Sequence, residues 1–440
     1  MIQRSSYWCL HFRNLHSIAL RPDAVKGLIT DIHARSILDS RGRPTVEVEC
    51  FVDGSFMSRT AVPSGASTGS YEAVELRDGG DLWNGSGVER AVKNVNTVIR
   101  EILVGCDVSD QEAIDELLIE TDGSENKSIM GANAILGCSM AAFRASSLVK
   151  GVPLWRNLPG TWPDPSLPVP LMNILNGGAH ASTNVDVQEF MVVPYGFSDF
   201  GSALRAGTET YHALKKTLGE RGLLGGIGDE GGFAPSLEKN EDGLRLLVEA
   251  IERAGYSSET QMGIALDVAA SEFYKSGKYS FDGKEIDGMD LSAIYSSWVD
   301  RYPIVSIEDP FDEDDWSSWI SFTERGHDIR IIGDDLYVTN PVRLQKGIDE
   351  GASNSILIKP NQIGTVTETL RVMEIANQEG FDCIVSHRSG ETSDNTISDI
   401  AVGTGCGWIK TGAPARSDRT SKYNQLLRIS EAGLPYSGWN

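Results

Sequence analysis

Three acids that close short apolar runs are the first residues in this 440-residue chain that could do chemistry together: Asp267 in Leu-Asp-Val-Ala, Glu308 in Ser-Ile-Glu-Asp-Pro and Asp334 in Gly-Asp-Asp-Leu. They are separated by 41 and 26 residues, each long enough for one strand-and-helix step, so neighbouring strand ends would bring the three carboxylates together. Converging carboxylates repel one another, and burying them without a cation is costly. An all-oxygen set of this kind favours a hard ion such as Mg²⁺. A strand-end acid also commonly caps the following helix, so one alone would decide little. Three in register favour a metal.

The next three strand ends reverse the sign: Lys359, then His387-Arg388-Ser389, then Lys410. A ring acidic on one side and basic on the other suits a metal-bound anion. Two glycine-dense loops add acids and amides, Asn176-Gly177-Gly178-Ala179-His180 running on to Gln188-Glu189-Phe190, and Gly228-Asp229-Glu230-Gly231-Gly232. Such loops let backbone approach a ligand closely, and their acids are proton donors. Ser64 to Gly69 contains a literal G-x-S-x-G, which raises a serine hydrolase with Ser67 as nucleophile. That elbow needs a long helix directly after the serine, and Gly69-Ser70 intervenes instead. Gly403 to Gly407 precedes a strand and does not open a helix, so it is no dinucleotide fingerprint.

Apolar runs must position these groups. From residue 171 onward there are eight: Leu171 to Leu175, Phe190 to Val193, Ile264 to Asp267, Ile304 to Glu308, Ile329 to Asp334, Ile356 to Lys359, Cys383 to His387 and Trp408 to Lys410. Most are followed by a helix-length segment. Continuous apolar strands separated by helices fit a closed, mainly parallel (β/α) barrel, whose strands are buried on both faces and whose C-terminal strand ends carry the active site. Upstream, Val46, Val48 and Cys50 alternate with Thr45, Glu47 and Glu49, and Asp53-Gly54 is a strong hairpin signal. Ser109 with Glu112 reads as a capping box ahead of Ile114, Leu117 and Leu118, and 131–149 is helical in composition. The expected organisation is an α/β chain with an extension at 1–24, a smaller α+β capping domain at 25–152, a proline-rich linker at 153–170 and an eight-stranded barrel at 171–440. The extension holds Arg4, Arg13 and Arg21 before the first acid, Asp23, and reads as a disordered or transit-like segment.

With 40% hydrophobic and 23% charged residues, the chain has the composition of a globular protein. Its 39 Lys and Arg against 62 Asp and Glu, a formal charge of −23, exclude a sequence-independent nucleic-acid binder. The six cysteines contain no CxxC pair, which points to a reducing cytoplasm, with a secreted or cell-surface copy as the lesser alternative. No uncharged apolar run is long enough for a membrane span.

Across residues 28 to 434 the chain resembles the enolase family. The motifs that carry the resemblance are Ala34-Arg35-Ser36, Asp39-Ser40-Arg41-Gly42, Ser64-Gly65-Ala66-Ser67-Thr68, Leu175-Asn176-Gly177-Gly178, Gly228-Asp229-Glu230-Gly231-Gly232, Ser306-Ile307-Glu308-Asp309, Asn361-Gln362-Ile363-Gly364, Ser386-His387-Arg388-Ser389-Gly390-Glu391-Thr392 and Ile409-Lys410-Thr411-Gly412. The resemblance implies an enolase-type barrel behind a smaller N-terminal domain and the reversible dehydration of 2-phosphoglycerate to phosphoenolpyruvate in glycolysis and gluconeogenesis. It implies two Mg²⁺ ions, the first on Asp267, Glu308 and Asp334 and the second arriving with substrate and held by Ser67. Lys359 would be the base, Glu230 the acid with Glu189 beside it, and His387 and His180 would support them. Gln188, Arg388, Ser389, Lys410 and Ser67 would bind substrate. A homodimer, or an octamer of dimers, is implied as well. Sugar-acid dehydratases and racemases of the same fold typically show Lys-x-Lys on the second barrel strand, where this chain reads Glu189-Phe190-Met191. The C-terminal lysine often tied to cell-surface binding is absent, since the chain ends Ser437-Gly438-Trp439-Asn440.

Overall fold

A computed structural model describes residues 27–65, 69–178 and 184–438. The extension at 1–24, Ser67 and His180 lie outside the described residues.

The chain opens with a three-stranded antiparallel sheet, β1 (Ile29–Leu38), β2 (Pro44–Val52) and β3 (Ser55–Ala61), in the order 1-2-3. Asp53 and Gly54 turn the β2–β3 hairpin at φ 50° and 79°, the left-handed pair that this dipeptide tolerates. Val46, Val48 and Cys50 are fully buried against the helix Ala132–Lys150, while Glu47 and Glu49 face out. That helix alone, among the described residues, is long and apolar enough to cross a membrane; 83% of it is buried inside the fold. The expected Ser109–Glu112 capping box does not form: the cap is Asp110, and the third helical residue, Ala113, has no polar side chain to reach back. Asp110 caps the helix Gln111–Asp122 by accepting from Ala113 N (3.1 Å), and the Ser109 hydroxyl turns back to Asp107.

Eight strands then close a barrel: β4 (Val169–Asn176), β5 (Glu189–Val193), β6 (Gly263–Asp267), β7 (Ile304–Glu308), β8 (Arg330–Gly333), β9 (Ser355–Ile358), β10 (Asp382–Ser386) and β11 (Trp408–Lys410). Pairing of β11 with β4 completes the ring. β4 begins at Val169, two residues inside the stretch expected as linker. β5 runs antiparallel to both neighbours, β4 and β6. The reversal places the first residue of β5, Glu189, level with Asp267 and Asn176 at the end where the parallel strands finish.

Side chains alternate along a strand, so a residue that fills the barrel fixes which others point inward. Met191, Val193, Ala265, Ile332, Leu357, Ile384 and Trp408 belong to one buried cluster inside the barrel. The same parity carries Glu189, Asp267, Asp334, Lys359 and Lys410 inward at the mouth. The lower barrel is thus a packed hydrocarbon plug beneath a polar rim.

Candidate active site

Gln188, Glu189, Glu230, Asp267, Asp334, Lys359, His387, Arg388, Ser389 and Lys410 line one small polar cavity at the mouth, with Ser386 the further wall residue. Glu308 is fully buried at its base. A larger groove, bounded by Phe56, Leu148, Trp155 and Ile429, is mostly apolar and gathers no comparable set of acids and bases.

The two lysines divide the acids between them. Lys410 Nζ lies 2.9 Å from Asp267 Oδ2, 2.8 Å from both oxygens of Glu308 and 3.4 Å from Glu189 Oε1. Lys359 Nζ donates to Asp334 Oδ2, whose other oxygen accepts from Gln362 Nε2 at 2.9 Å. Gln188 Nε2 donates to Asp267 Oδ2 (3.2 Å), leaving its own Oε1 buried without a hydrogen-bond partner. Pro360 follows Lys359 and starts a four-residue helix, which leaves Lys359 in the extended conformation that a pre-proline residue prefers.

Charge and burial compete at each group. Burial and then Asp267 push the Glu308 carboxyl well above the usual range. Burial would lower Lys410, but Asp267, Glu189 and Glu308 together hold it well above its ordinary value. The same contest raises Lys359: burial lowers it, Arg388 and Lys410 lower it further, and Asp334 with Glu308 outweighs them. The carboxylates meant for a cation, left to the chain's own charges, stabilise the ammonium form.

Across the cavity, Glu189 is held well above the carboxylate range by burial and by Glu230. Glu230 Oε2 receives Asn173 Nδ2 at 3.2 Å and lies 3.1 Å from His387 Nε2. Arg419 Nη1 approaches His387 Nδ1 at 2.6 Å; an arginine can only donate, so Nδ1 accepts and the ring proton sits on Nε2, beside Glu230. Burial holds the imidazole pKa down to about 3, so His387 is neutral at working pH. It can orient Glu230 but is no cationic acid. Arg388 is tied by both terminal nitrogens to Glu72 of the N-terminal domain (2.9 and 3.1 Å), and Arg419 bonds the Ser389 carbonyl.

Sequence reading gave no role to Glu72, Gln362, Asn173 or Arg419. Gln362 stands inside a quoted motif, but its grip on Asp334 depends on a short helix folding back. Glu72 has no local signal at all, since its partner is 316 residues away.

The donor chemistry fits a divalent cation. Three buried carboxylates stand at the ends of adjacent strands and offer only oxygen, Lys410 sits between Asp267 and Glu308, and Lys359 sits on Asp334. Fold and site together define a barrel whose mouth gathers carboxyl groups with lysine, arginine and histidine side chains in one cavity. The pattern described as "Enolase, N-terminal domain" matches residues 29–158, and "Enolase, C-terminal TIM barrel domain" matches 164–437. The chain therefore belongs to the enolase family and is a lyase of that superfamily, a family that typically binds Mg²⁺.

Proposed function

We propose that the protein interconverts 2-phosphoglycerate and phosphoenolpyruvate. The observation that carries this reading is that Lys359 and Glu230 line one cavity with Asp267 and Asp334, where Lys410 also holds Glu308. Lys359, as the neutral amine that added positive charge at the neighbouring acids would favour, takes the proton from C2. Glu230, oriented by Asn173 and the Nε2–H of His387, delivers a proton to the 3-hydroxyl so that it leaves as water. Glu189, kept protonated by burial beside Glu230, makes retention of a proton on that pair favourable. Arg388 and Ser389 receive the phosphate and Lys410 the substrate carboxylate. Gln188 stands beside Asp267 on the wall of the same cavity.

Asp267, Glu308 and Asp334 would hold Mg²⁺, with a second ion arriving with substrate at Ser67; such ions supply the positive charge that stabilises the anion formed when C2 loses its proton. Proton abstraction and delivery by positioned side chains contribute roughly 10² to 10⁴-fold each. His180 would support the phosphate end. A cytoplasmic location and a homodimer, or an octamer of dimers, complete the proposal; five described cysteines are unpaired, which fits a reducing compartment.

The test is substrate choice. Offered 2-phosphoglycerate and a set of non-phosphorylated sugar acids with Mg²⁺, the protein is expected to turn over only the former, read as the ultraviolet absorbance of phosphoenolpyruvate. Turnover of a sugar acid with none of 2-phosphoglycerate would move the assignment to a dehydratase of the same fold.

A further inference from the structure

Four of the eleven described non-glycine residues with left-handed backbone follow the three acids closely. Ala269 follows Asp267 by two residues at φ 46°, Asp309 follows Glu308 directly at φ 41°, and Val338 and Thr339 follow Asp334 closely at φ 45° and 53°. Left-handed backbone is costly for residues with a Cβ, most of all for branched ones, and persists only where the surroundings over-determine it.

Asp309 shows what over-determines it. Its Oδ1 accepts the backbone N–H of Asp334 and its Oδ2 that of Asp335, both at 2.8 Å. Its own N–H donates to Ile332 O (3.0 Å) on the strand leading to Asp334, and its carbonyl accepts Ala270 N (3.1 Å) from the turn after Asp267. Covalently, Asp309 is the residue after Glu308. One buried side chain and its two peptide groups therefore reach the segments that carry all three acids. Asp309, Asp334 and Asp335 also bring carboxylate oxygens within 4.8 Å of one another, as a separate cation cage would. The oxygens are otherwise engaged: those of Asp309 on backbone amides, those of Asp334 on Lys359 and Gln362.

We propose that Asp309 is a positioning residue, a clamp behind the metal-binding acids that locks their strand ends in one arrangement and thereby sets metal affinity. It rests on the reading that Asp267, Glu308 and Asp334 bind a divalent ion. Residues that orient metal ligands from behind typically account for 10 to 100-fold in affinity.

Two substitutions isolate the clamp. Asp309→Asn keeps the size, suits a left-handed backbone and replaces one acceptor by a donor that faces an amide. Asp309→Gly accepts the backbone without strain and removes both acceptors. Mn²⁺ is titrated into full-length wild type and variants and followed by electron paramagnetic resonance. Circular dichroism reports the fold, and activity is measured over a Mg²⁺ series. Wild type is expected to bind, and both variants to bind roughly 10 to 100-fold more weakly. Their activation curves should shift to higher Mg²⁺ and recover kcat at saturation, which a merely misfolded protein would not do. Unchanged affinity in a folded variant overturns the clamp. Loss of one Mn²⁺ per chain with the remaining affinity unaltered overturns it in favour of a separate cage. If wild type binds no Mn²⁺, the metal reading beneath the proposal fails instead. Should Asp309→Asn not fold, Asp309→Gly decides by the same criteria.

Discussion

The barrel mouth and the outer face of the N-terminal sheet both pair basic side chains with carboxylates, and they differ in balance. On the sheet, Arg35 bonds Glu47 and Glu49 at 2.6 Å, and Arg59 bonds Glu49 through Nε at 2.9 Å: two cations, two anions, with both arginines more than a third exposed. At the mouth, Glu189, Glu230, Asp267, Glu308 and Asp334 meet Lys359 and Lys410, five carboxyl groups against two ammoniums. Arg388 is already engaged by Glu72, and His387 is neutral. Six of the seven are buried, and Lys359 is the one partly exposed. A balanced, half-exposed network ties strands together and is worth little per pair. A buried network with surplus charge of one sign costs stability, and such a cost is retained where an added cation or a proton transfer makes use of it.

Substitution separates the two cases. Glu308→Gln removes one of the five crowded carboxyl groups, so in metal-free buffer the variant should melt no lower than wild type. Mg²⁺ at about 100 times its dissociation constant stabilises wild type by about 2.7 kcal/mol, which for a chain of this size is a rise of roughly 3 °C. The variant should gain much less. An equal rise in both, measured by differential scanning calorimetry, would show that the surplus at the mouth is not a metal site.

Glu49→Gln on the sheet should behave oppositely and more weakly. Its hydrogen bond with Arg35, assisted by Arg59 against the cost of burial, holds the Glu49 pKa to about 2 from an ordinary 4.5. A depressed carboxylate stabilises the fold above its unfolded pKa, and that contribution is lost as pH falls towards the folded value. The variant should lose about 0.5–1 kcal/mol at pH 7, and the gap should narrow at pH 3, read from urea midpoints. A gap of the same size at both pH values would mean that the loss is packing and not charge.

Much of this was legible in the sequence, for a physical reason. Asp267, Asp334, Lys359 and Lys410 share the inward parity of their strands, and the apolar run before each one announces the strand. Asp53-Gly54 announced a hairpin because few other pairs tolerate two left-handed residues. What was not legible depends on direction or distance. The reversal of β5, which brings Glu189 to the mouth by its first residue, leaves the apolar run unchanged. The Glu72–Arg388 pair joins two domains, and the Asp309 clamp hides in a motif whose neighbour, Glu308, accounts for it at first sight. The helix cap fell on Asp110 and not Ser109 because both are good caps and only the backbone chooses between them.

The most direct test follows phosphoenolpyruvate formation from 2-phosphoglycerate with Mg²⁺, with chelator, after Mg²⁺ is restored, and with Lys359→Ala. The expected result is turnover abolished by chelator, recovered with Mg²⁺, and reduced roughly 10² to 10⁴-fold in kcat by the folded variant. Turnover indifferent to chelator, or undiminished without the lysine, would contradict the assignment of the mouth's acids to a metal and of Lys359 to the proton.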